Sequence, residues 1–457
     1  SRAEIARAWG GPPLPGEKAV ANFDEDSLTM AVAACRDCLR GFDKNSIDAL
    51  YFASTSFPYL EKQSAAVVAT ALDTAQSTFT TDVSNSLKGG VSAVRLAVDA
   101  IGAGSTKSVL VCAADVRLGL PGGAREMEFG DGAAALLLGD KDVIATIDGS
   151  HSVHNEIIDV FRSSGDTFVR SWEDRFVREK GYGKVVPETV AAALKKYGLA
   201  AKDFAKLVVN IPNRSALASL AKGLGFDPKT QVQDPLADSV GNTGCALPLM
   251  LLVAALEEAK PGDRLLWASY GDGCDVYILT VTEAIKNVGA RGGISKHLAS
   301  RRLLPTYEKY LRWRNIVITE PQPRPPMEVP SAVALWRDSR GGLALCGVRC
   351  ENCGTPQYPA QRVCMICRTK DRFSDYCFAD RVGRVTTFSQ DSLAASVDPP
   401  STVCAVDFDG GGRIMCDMID RDPQQVEVGM PVVMAFRHLR HISGIHDYWW
   451  KCQPPRY

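Results

Sequence analysis

A short pattern occurs twice in this chain: an aromatic residue, then Gly-Asp-Gly, then a six-residue strand-like run. Phe129-Gly-Asp-Gly132 runs into Ala133 to Leu138, and Tyr270-Gly-Asp-Gly273 runs into Cys274 to Leu279. The upstream stretches match as well. Asn85 to Gly90 opens a helical segment that leads to the strand Val109 to Cys112, and Asn242 to Gly244 opens another that leads to Leu265 to Ala268. One Gly-Asp-Gly is common by chance, but order, spacing and flanking strands agree together, so the pattern predicts duplication of one αβ unit. Up to Glu283 apolar runs alternate with Ala-rich amphipathic stretches, the signature of a layered α/β fold. Two copies face to face would bring the helix starts near Ser86 and Asn242 to a switch point between sheets, where unpaired N–H groups and positive dipole ends receive ligands. Tight strand-to-helix turns explain the glycines equally well, though not the asparagines.

With 457 residues, 46% apolar side chains and a formal net charge of -1, the chain can build two or three packed domains. Ser1 to Pro15 lack the basic start and apolar core of a secretion signal, and the longest apolar run, Cys245 to Leu256, is too short to cross a bilayer. These features point to a cytoplasmic protein without membrane association. The fourteen cysteines then read as buried thiols, metal ligands or reactive sulfur rather than as a disulfide framework. Residues 286–330 carry nine Lys or Arg against three Glu and end in Pro321, Pro323, Pro325, Pro326 and Pro330, which reads as a basic, semi-rigid linker over 285–330. Its basic side chains suit either a solvated helix face or acidic phosphates such as those of coenzyme A. Residues 331–457 hold 15 basic and 14 acidic side chains, too even a balance for a nucleic-acid binder.

Cys350-Glu-Asn-Cys353 and Cys364-Met-Ile-Cys367 form two C-x-x-C knuckles at zinc-ribbon spacing. Each knuckle supplies two thiolates from one tight turn, and four thiolates close the tetrahedron, so the pattern implies a structural zinc over 331–372 rather than a catalytic one. Cys35-Arg-Asp-Cys38 lacks a second pair and reads as core packing. The short strands Gly383 to Phe388, Val403 to Phe408, Arg413 to Met418 and Pro431 to Phe436, parted by Gly, Pro and Asp turns, suggest a small OB-type barrel over 373–457.

Over nearly all of residues 1–284 the sequence resembles the ketoacyl synthase III and 3-hydroxy-3-methylglutaryl-CoA synthase branch of the thiolase superfamily. The blocks that carry this resemblance are Asp82 to Gly90, Phe129 to Ala135, Asn210 to Asn213, Gly241 to Gly244 and Ser269 to Gly273. The C-terminal part is similar to the zinc-ribbon and OB-fold domain that accompanies acyl-CoA thiolases, with Tyr448 to Lys451 and Pro454 to Arg456 as its tail. The resemblance implies a duplicated, five-layered core with halves at about 1–140 and 141–284, and a chain that begins just after the family's first core strand. It also implies acyl-CoA ligands with a coenzyme A thioester as substrate, a homodimer through the core, and a separate thiolase as candidate partner.

Such families use a cysteine nucleophile, a histidine, and an asparagine or second histidine. At those three places this chain has Leu87, Asn210 and Asn242. Catalysis is therefore expected from Asn242 and Asn210, with Ser86 as a neighbouring hydroxyl. Asn85, Asn213, Tyr270 and Gly271 are expected to line the substrate site. Cys245 and Cys274 could replace the lost thiol or simply pack. Asp159, the run Trp172-Glu-Asp-Arg175-Phe176, Tyr182, His151 and His154 are weaker acids, bases or salt-bridge partners. Two readings follow: a carbon–carbon bond enzyme of Claisen, retro-Claisen or aldol type, or a non-catalytic acyl-CoA-binding scaffold.

Overall fold

The computed structural model describes every residue except 212, 321–328, 330, 395 and 457. Two units emerge. The first comprises Ser1–Ala21, Asp26–Ala66 and Ala75–Tyr307, and the second Asn22–Glu25, Val67–Thr74 and Glu308–Tyr457.

In the first unit, β1 (Ala49–Ala53), β2 (Phe79–Val83), β3 (Ser108–Asp115) and β4 (Gly132–Gly139) form a sheet in the order β2-β1-β3-β4. The first three run parallel and β4 returns antiparallel. After β5 (Ala145–His154) a two-stranded ribbon follows, β6 (Val160–Phe161) with β7 (Arg170–Ser171). Then β8 (Lys206–Val209), β9 (Arg264–Tyr270) and β10 (Gly273–Val281) complete a second sheet, ordered β5-β10-β9-β8. Here β8 and β9 are parallel and β10 returns antiparallel, so the pair β9–β10 repeats β3–β4. The duplication read from the two Gly-Asp-Gly turns is thus visible in strand direction and order. The outer edge of β10 pairs with β5, whereas the outer edge of β4 carries no strand among the described residues.

Burial explains the layering. β1 is buried at every position and β3 at all but its first, which is what a parallel sheet covered on both faces requires. The helix Leu247–Glu258 is apolar almost all round and buried over most of its length, as a helix with protein on every side must be. It packs on β4 from one sheet, on β8 and β9 from the other, and on the helix Gly89–Gly102. Outside lie the helix Ser27–Cys38, against β3 and β4, and the helix Tyr182–Tyr197, against β5, β9 and β10. The order helix, sheet, helix pair, sheet, helix gives five layers. Cys35 and Cys38 sit inward on the outermost helix, and burial raises both thiols, Cys38 to about 12, so that pair is core packing.

The basic segment after β10 forms the helices Gly293–Ala299 and Tyr307–Trp313; the five prolines read as a semi-rigid linker lie outside the described residues. Several of its cations are spent on protein. Arg301 pairs with Glu17 at 2.9 Å, Lys309 with Asp398 at 2.7 Å, and Arg312 donates to the Ser396 carbonyl.

In the second unit a three-stranded ribbon joins β11 (Cys346–Cys350), β12 (Pro356–Gln357) and β13 (Phe373–Cys377) in the order β12-β11-β13. Five longer strands follow: β14 (Val382–Asp391), β15 (Ser401–Phe408), β16 (Arg413–Asp417), β17 (Pro431–Ile442) and β18 (Ile445–Gln453). Their order is β16-β15-β14-β17-β18, and a bridge between Met418 and Cys452 brings the two ends together into a closed, OB-type barrel. Bulges at Val385/Thr387 and His438/Arg440 provide the bending that closure needs. One feature corrects the reading of the cysteines: Cys346 and Cys377 are bonded as a disulfide. They lie directly opposite one another in the β11–β13 ladder, a cross-strand register invisible in linear spacing.

A buried charge cluster anchors the segment Asn22–Glu25 within this unit. Arg437 pairs with Glu25 and Asp420, and Lys451 Nζ lies 2.8 Å from an Asp24 oxygen. Removing Arg437 leaves the fully buried Asp24 and the largely buried Glu25 and Asp420 short of a cation, so Arg437→Ala is expected to destabilise the unit by about 3–5 kcal/mol, measured by denaturant melts. A loss under about 1 kcal/mol would mean the carboxylates have solvent access.

Candidate functional site

The two halves meet crosswise. The turn of the second half, Tyr270-Gly271, lies against the helix start of the first, so closely that a Cβ on Gly271 would stand 2.8 Å from Lys88 N and 3.1 Å from Leu87 Cβ. The turn of the first half, Phe129-Gly130, pairs in turn with the helix start of the second: Gly130 N–H donates to the Asn242 carbonyl at 3.1 Å, and Asn242 N–H donates to the Glu128 carbonyl at 2.8 Å. The helix starts themselves touch, because a Cβ on Gly90 would lie 2.7 Å from the Cys245 carbonyl oxygen. Only backbones without side chains can approach this way.

Each predicted site residue has a definite place. Asn242 sits in a turn where its amide oxygen accepts Gly244 N–H at 3.0 Å; its amide nitrogen has no partner among the described residues. Asn210 brackets the Tyr270 backbone, donating to its carbonyl at 3.1 Å and accepting its N–H at 2.8 Å. Ser86 donates to Asp272 at 2.7 Å, and Asn85 precedes it at φ 69°, a left-handed conformation that marks the sharp turn into the helix. Asn213 caps the helix Arg214–Gly223, with its amide oxygen committed to Ala216 N–H. That cap is a structural use of the side chain that the motif did not reveal.

Both alternative thiols are buried. The Cys245 thiol is pushed well up by burial and by the neighbouring Asp115 carboxylate, and Cys274 is pushed up to about 12 by burial and by Asp275. A thiol held neutral is a poor nucleophile. Of the two readings offered for these cysteines, packing is the one their surroundings support.

Beside the crossing lies a group of acids and phenols. Burial raises the Asp159 carboxyl, and burial together with Asp159 raises the Tyr270 phenol. Tyr182 meets the Tyr270 ring edge-on, centroids 6.0 Å apart, and its phenol is likewise raised by burial. The run after Asp159 is spread over the surface. Trp172 is 68% exposed, Asp174 pairs with Arg125 at 2.8 Å, and Arg175 pairs with Glu179 at 2.8 Å instead of with Asp174. His151 and His154 lie on β5 and join no metal-ligand cluster among the described residues.

Sequence reading missed Asp115 and Arg117 at the end of β3. Asp115 is fully buried and accepts from Ser54 Oγ, Thr55 N, Thr55 Oγ1, Ser56 Oγ and Cys245 N, tying the two halves together. The signal was present as two charges immediately after the apolar run Val109 to Ala114, at the carboxyl end of a parallel strand.

In the second unit the four cysteines of the two knuckles converge, their sulfurs all within 4.8 Å of one another. The knuckles are built alike. Cys350 N–H donates to the Thr355 carbonyl at 3.0 Å and Cys364 N–H to the Thr369 carbonyl at 2.9 Å, while Gly354 and Arg368 close the turns on the Cys350 and Cys364 carbonyls. Thr355 and Thr369 hydroxyls stand 3.2 Å from the sulfurs of Cys353 and Cys367. Hydrogen bonds from Asn352 and Thr369 bring the Cys367 thiol down to about 5, and those from Thr355 lower Cys353. Sulfur separations of 3.5 and 3.6 Å are close to the edge of about 3.8 Å expected for a tetrahedron with Zn–S bonds of about 2.3 Å. The donor set therefore fits a closed zinc site.

Comparison with known proteins agrees with this architecture. The profile of the 3-oxoacyl-[acyl-carrier-protein] synthase III C-terminal family matches residues 194–282, and that of the ChsH2 C-terminal OB-fold domain matches residues 379–437. Hydroxymethylglutaryl-CoA synthase of Pyrococcus horikoshii is 30% identical over 321 residues, 69% of this chain and 88% of the relative. The enzyme of Methanopyrus kandleri is 30% identical over 322 residues, 68% of this chain and 92% of the relative. A crystal structure of HMG-CoA synthase complexed with CoA superposes with a TM-score of 0.61 at 20% identity, covering 68% of this chain and 85% of that one, and so shares the fold. Joined by a C-terminal OB-fold domain of the ChsH2 type, the chain belongs to the hydroxymethylglutaryl-CoA synthase family, acyl-CoA condensing enzymes of the thiolase superfamily.

Proposed function

We propose that the first unit binds coenzyme A thioesters at the crossing of its two halves and makes or breaks a carbon–carbon bond there without an enzyme-bound acyl intermediate. The observation that carries this reading is the contrast between Leu87, an apolar side chain at the start of the helix, and Asn242, whose amide nitrogen is left to donate. An acyl-CoA oxygen held by that amide would gain stabilisation as it becomes an enolate or alkoxide. The α-proton would pass to a base, for which the Asp159 carboxylate, near the Tyr270 phenol and raised in proton affinity by burial, is the candidate. The enolate carbon would then attack the carbonyl of a second acyl-CoA, breaking its C–S bond and expelling the CoA thiolate, which takes up the proton from that base; run backwards, with CoA as the attacking thiol, the same steps cleave the carbon–carbon bond. Ligation of CoA by the structural relative named above supports the choice of thioester.

The test is α-hydrogen exchange. A panel of acyl-CoA thioesters incubated in D2O with the protein and recovered for mass measurement should include at least one that gains deuterium faster than in buffer. A panel with no exchange, but with measurable binding, would favour the scaffold reading that Leu87 by itself suggests.

For the second unit the proposal is one structural zinc held by Cys350, Cys353, Cys364 and Cys367, which supplies cross-linking and no open coordination position. Reduced thiolates of this kind suit the cytoplasm. No helix is long and apolar enough to cross a membrane. A homodimer through the first unit and a separate thiolase as partner belong to the same proposal and rest on the family resemblance.

A further inference from the structure

Among the described residues, the almost fully buried Arg2 and Arg437 both spend donors on named acceptors. Arg2 donates to the carbonyls of Met127, Pro15 and Ala237, and Arg437 to Glu25, Asp420 and Gln453. Arg117 is only 4% exposed, yet among the described residues it makes no hydrogen bond and no ion pair, and one of its Nη atoms is buried without a partner. Its guanidinium lies over the Phe129 ring, 4.3 Å from the centroid, and its Cδ is so close to Gly244 that a Cβ there would lie 2.8 Å away. Asp115 is the nearest carboxylate to influence it, but both Asp115 oxygens are already occupied, Oδ1 by Ser54, Thr55 and Ser56 and Oδ2 by Thr55 and Cys245. Asp159 interacts with it electrostatically, while Arg125 and Arg162 add positive charge nearby.

A guanidinium has five N–H donors in a planar fork and cannot shed its charge, so leaving it buried and unbonded is costly unless a ligand completes it. The two residues it touches also adjoin Asn242: Phe129 lies opposite it in a backbone bridge, and Gly244 N–H donates to its side-chain oxygen. A group bound by Arg117 would therefore lie close to a thioester oxygen bound by Asn242. We infer that Arg117 receives a carboxylate carried on the acyl chain, so that the site prefers short ω-carboxyacyl-CoA thioesters over neutral ones of the same length. The inference rests on the acyl-CoA reading above. Planar, two-pronged recognition of a carboxylate is what this side chain does better than any other.

The test is equilibrium binding, by calorimetry on the full chain, of succinyl-CoA and glutaryl-CoA against butyryl-CoA, pentanoyl-CoA and CoA alone. A preference of about ten- to a hundredfold for the carboxylated thioesters is expected, the range for hydrogen bonds to a charged partner. Arg117→Gln should erase that preference and leave CoA alone and the neutral thioesters unchanged, and Arg117→Lys should restore part of it. Equal affinity for carboxylated and neutral thioesters in the unaltered protein overturns the inference and leaves the acyl-CoA reading intact. If Arg117→Gln weakens CoA alone as much as succinyl-CoA, the guanidinium meets a phosphate and the inference is wrong. No binding of any thioester or of CoA removes the acyl-CoA reading itself. The comparison in the unaltered protein decides the matter even if the variants fail to fold.

Discussion

Stripping the four-cysteine centre is expected to melt the ribbon of the second unit while the first unit stays folded. The ribbon sheet consists of β11, the two-residue β12 and β13, far too little apolar area to hold itself together. In such small sites the metal supplies the folding energy, about 10–16 kcal/mol at neutral pH. Cys364→Ser, or a strong chelator, should thus abolish the ribbon's transition in a thermal melt followed by circular dichroism, with metal content followed in parallel. The experiment is best done with reductant present, because the Cys346–Cys377 disulfide also ties β11 to β13. An unchanged melt in metal-free protein would show that the thiols do not hold a structural ion.

The second large effect belongs to Asn242. Loss of one preorganised donor to a developing oxyanion lowers turnover by about 10²–10³-fold. Asn242→Ala is expected to reduce α-hydrogen exchange by that factor at saturating thioester. The same side chain also accepts Gly244 N–H, so alanine removes a turn contact as well as a donor. Asn242→Asp separates the two roles: it keeps the acceptor and loses the amide N–H. Equal losses in both variants assign the effect to the donor. A loss confined to alanine assigns it to the turn and leaves the oxyanion site elsewhere.

Much of the first unit was legible because its constraints are local and repeated. Two Gly-Asp-Gly turns, two asparagine-led helix starts and fully apolar strands announce a duplicated, layered α/β core, and the strand orders bear this out. The knuckle cysteines were equally legible, since each pair is fixed by one tight turn. What escaped depends on distances across the fold. Asn213, expected at the substrate site, also caps a helix, a role set by the φ and ψ of its own position. Cys346 and Cys377 face each other only because β11 and β13 pair in one register. Arg117 drew no notice because an arginine after a strand is ordinary; its lack of partners appears only when Phe129 and Gly244 close over it.

The central claim is that acyl-CoA is handled without an acyl-enzyme, and intact-protein mass spectrometry after incubation with acyl-CoA thioesters tests it most directly, with binding measured on the same samples. The expected result is saturable binding and an unchanged protein mass, as Leu87 and the neutral thiols of Cys245 and Cys274 require. An acyl-sized mass increase mapped to Ser86, Cys245 or Cys274 would contradict the account and establish a relocated nucleophile.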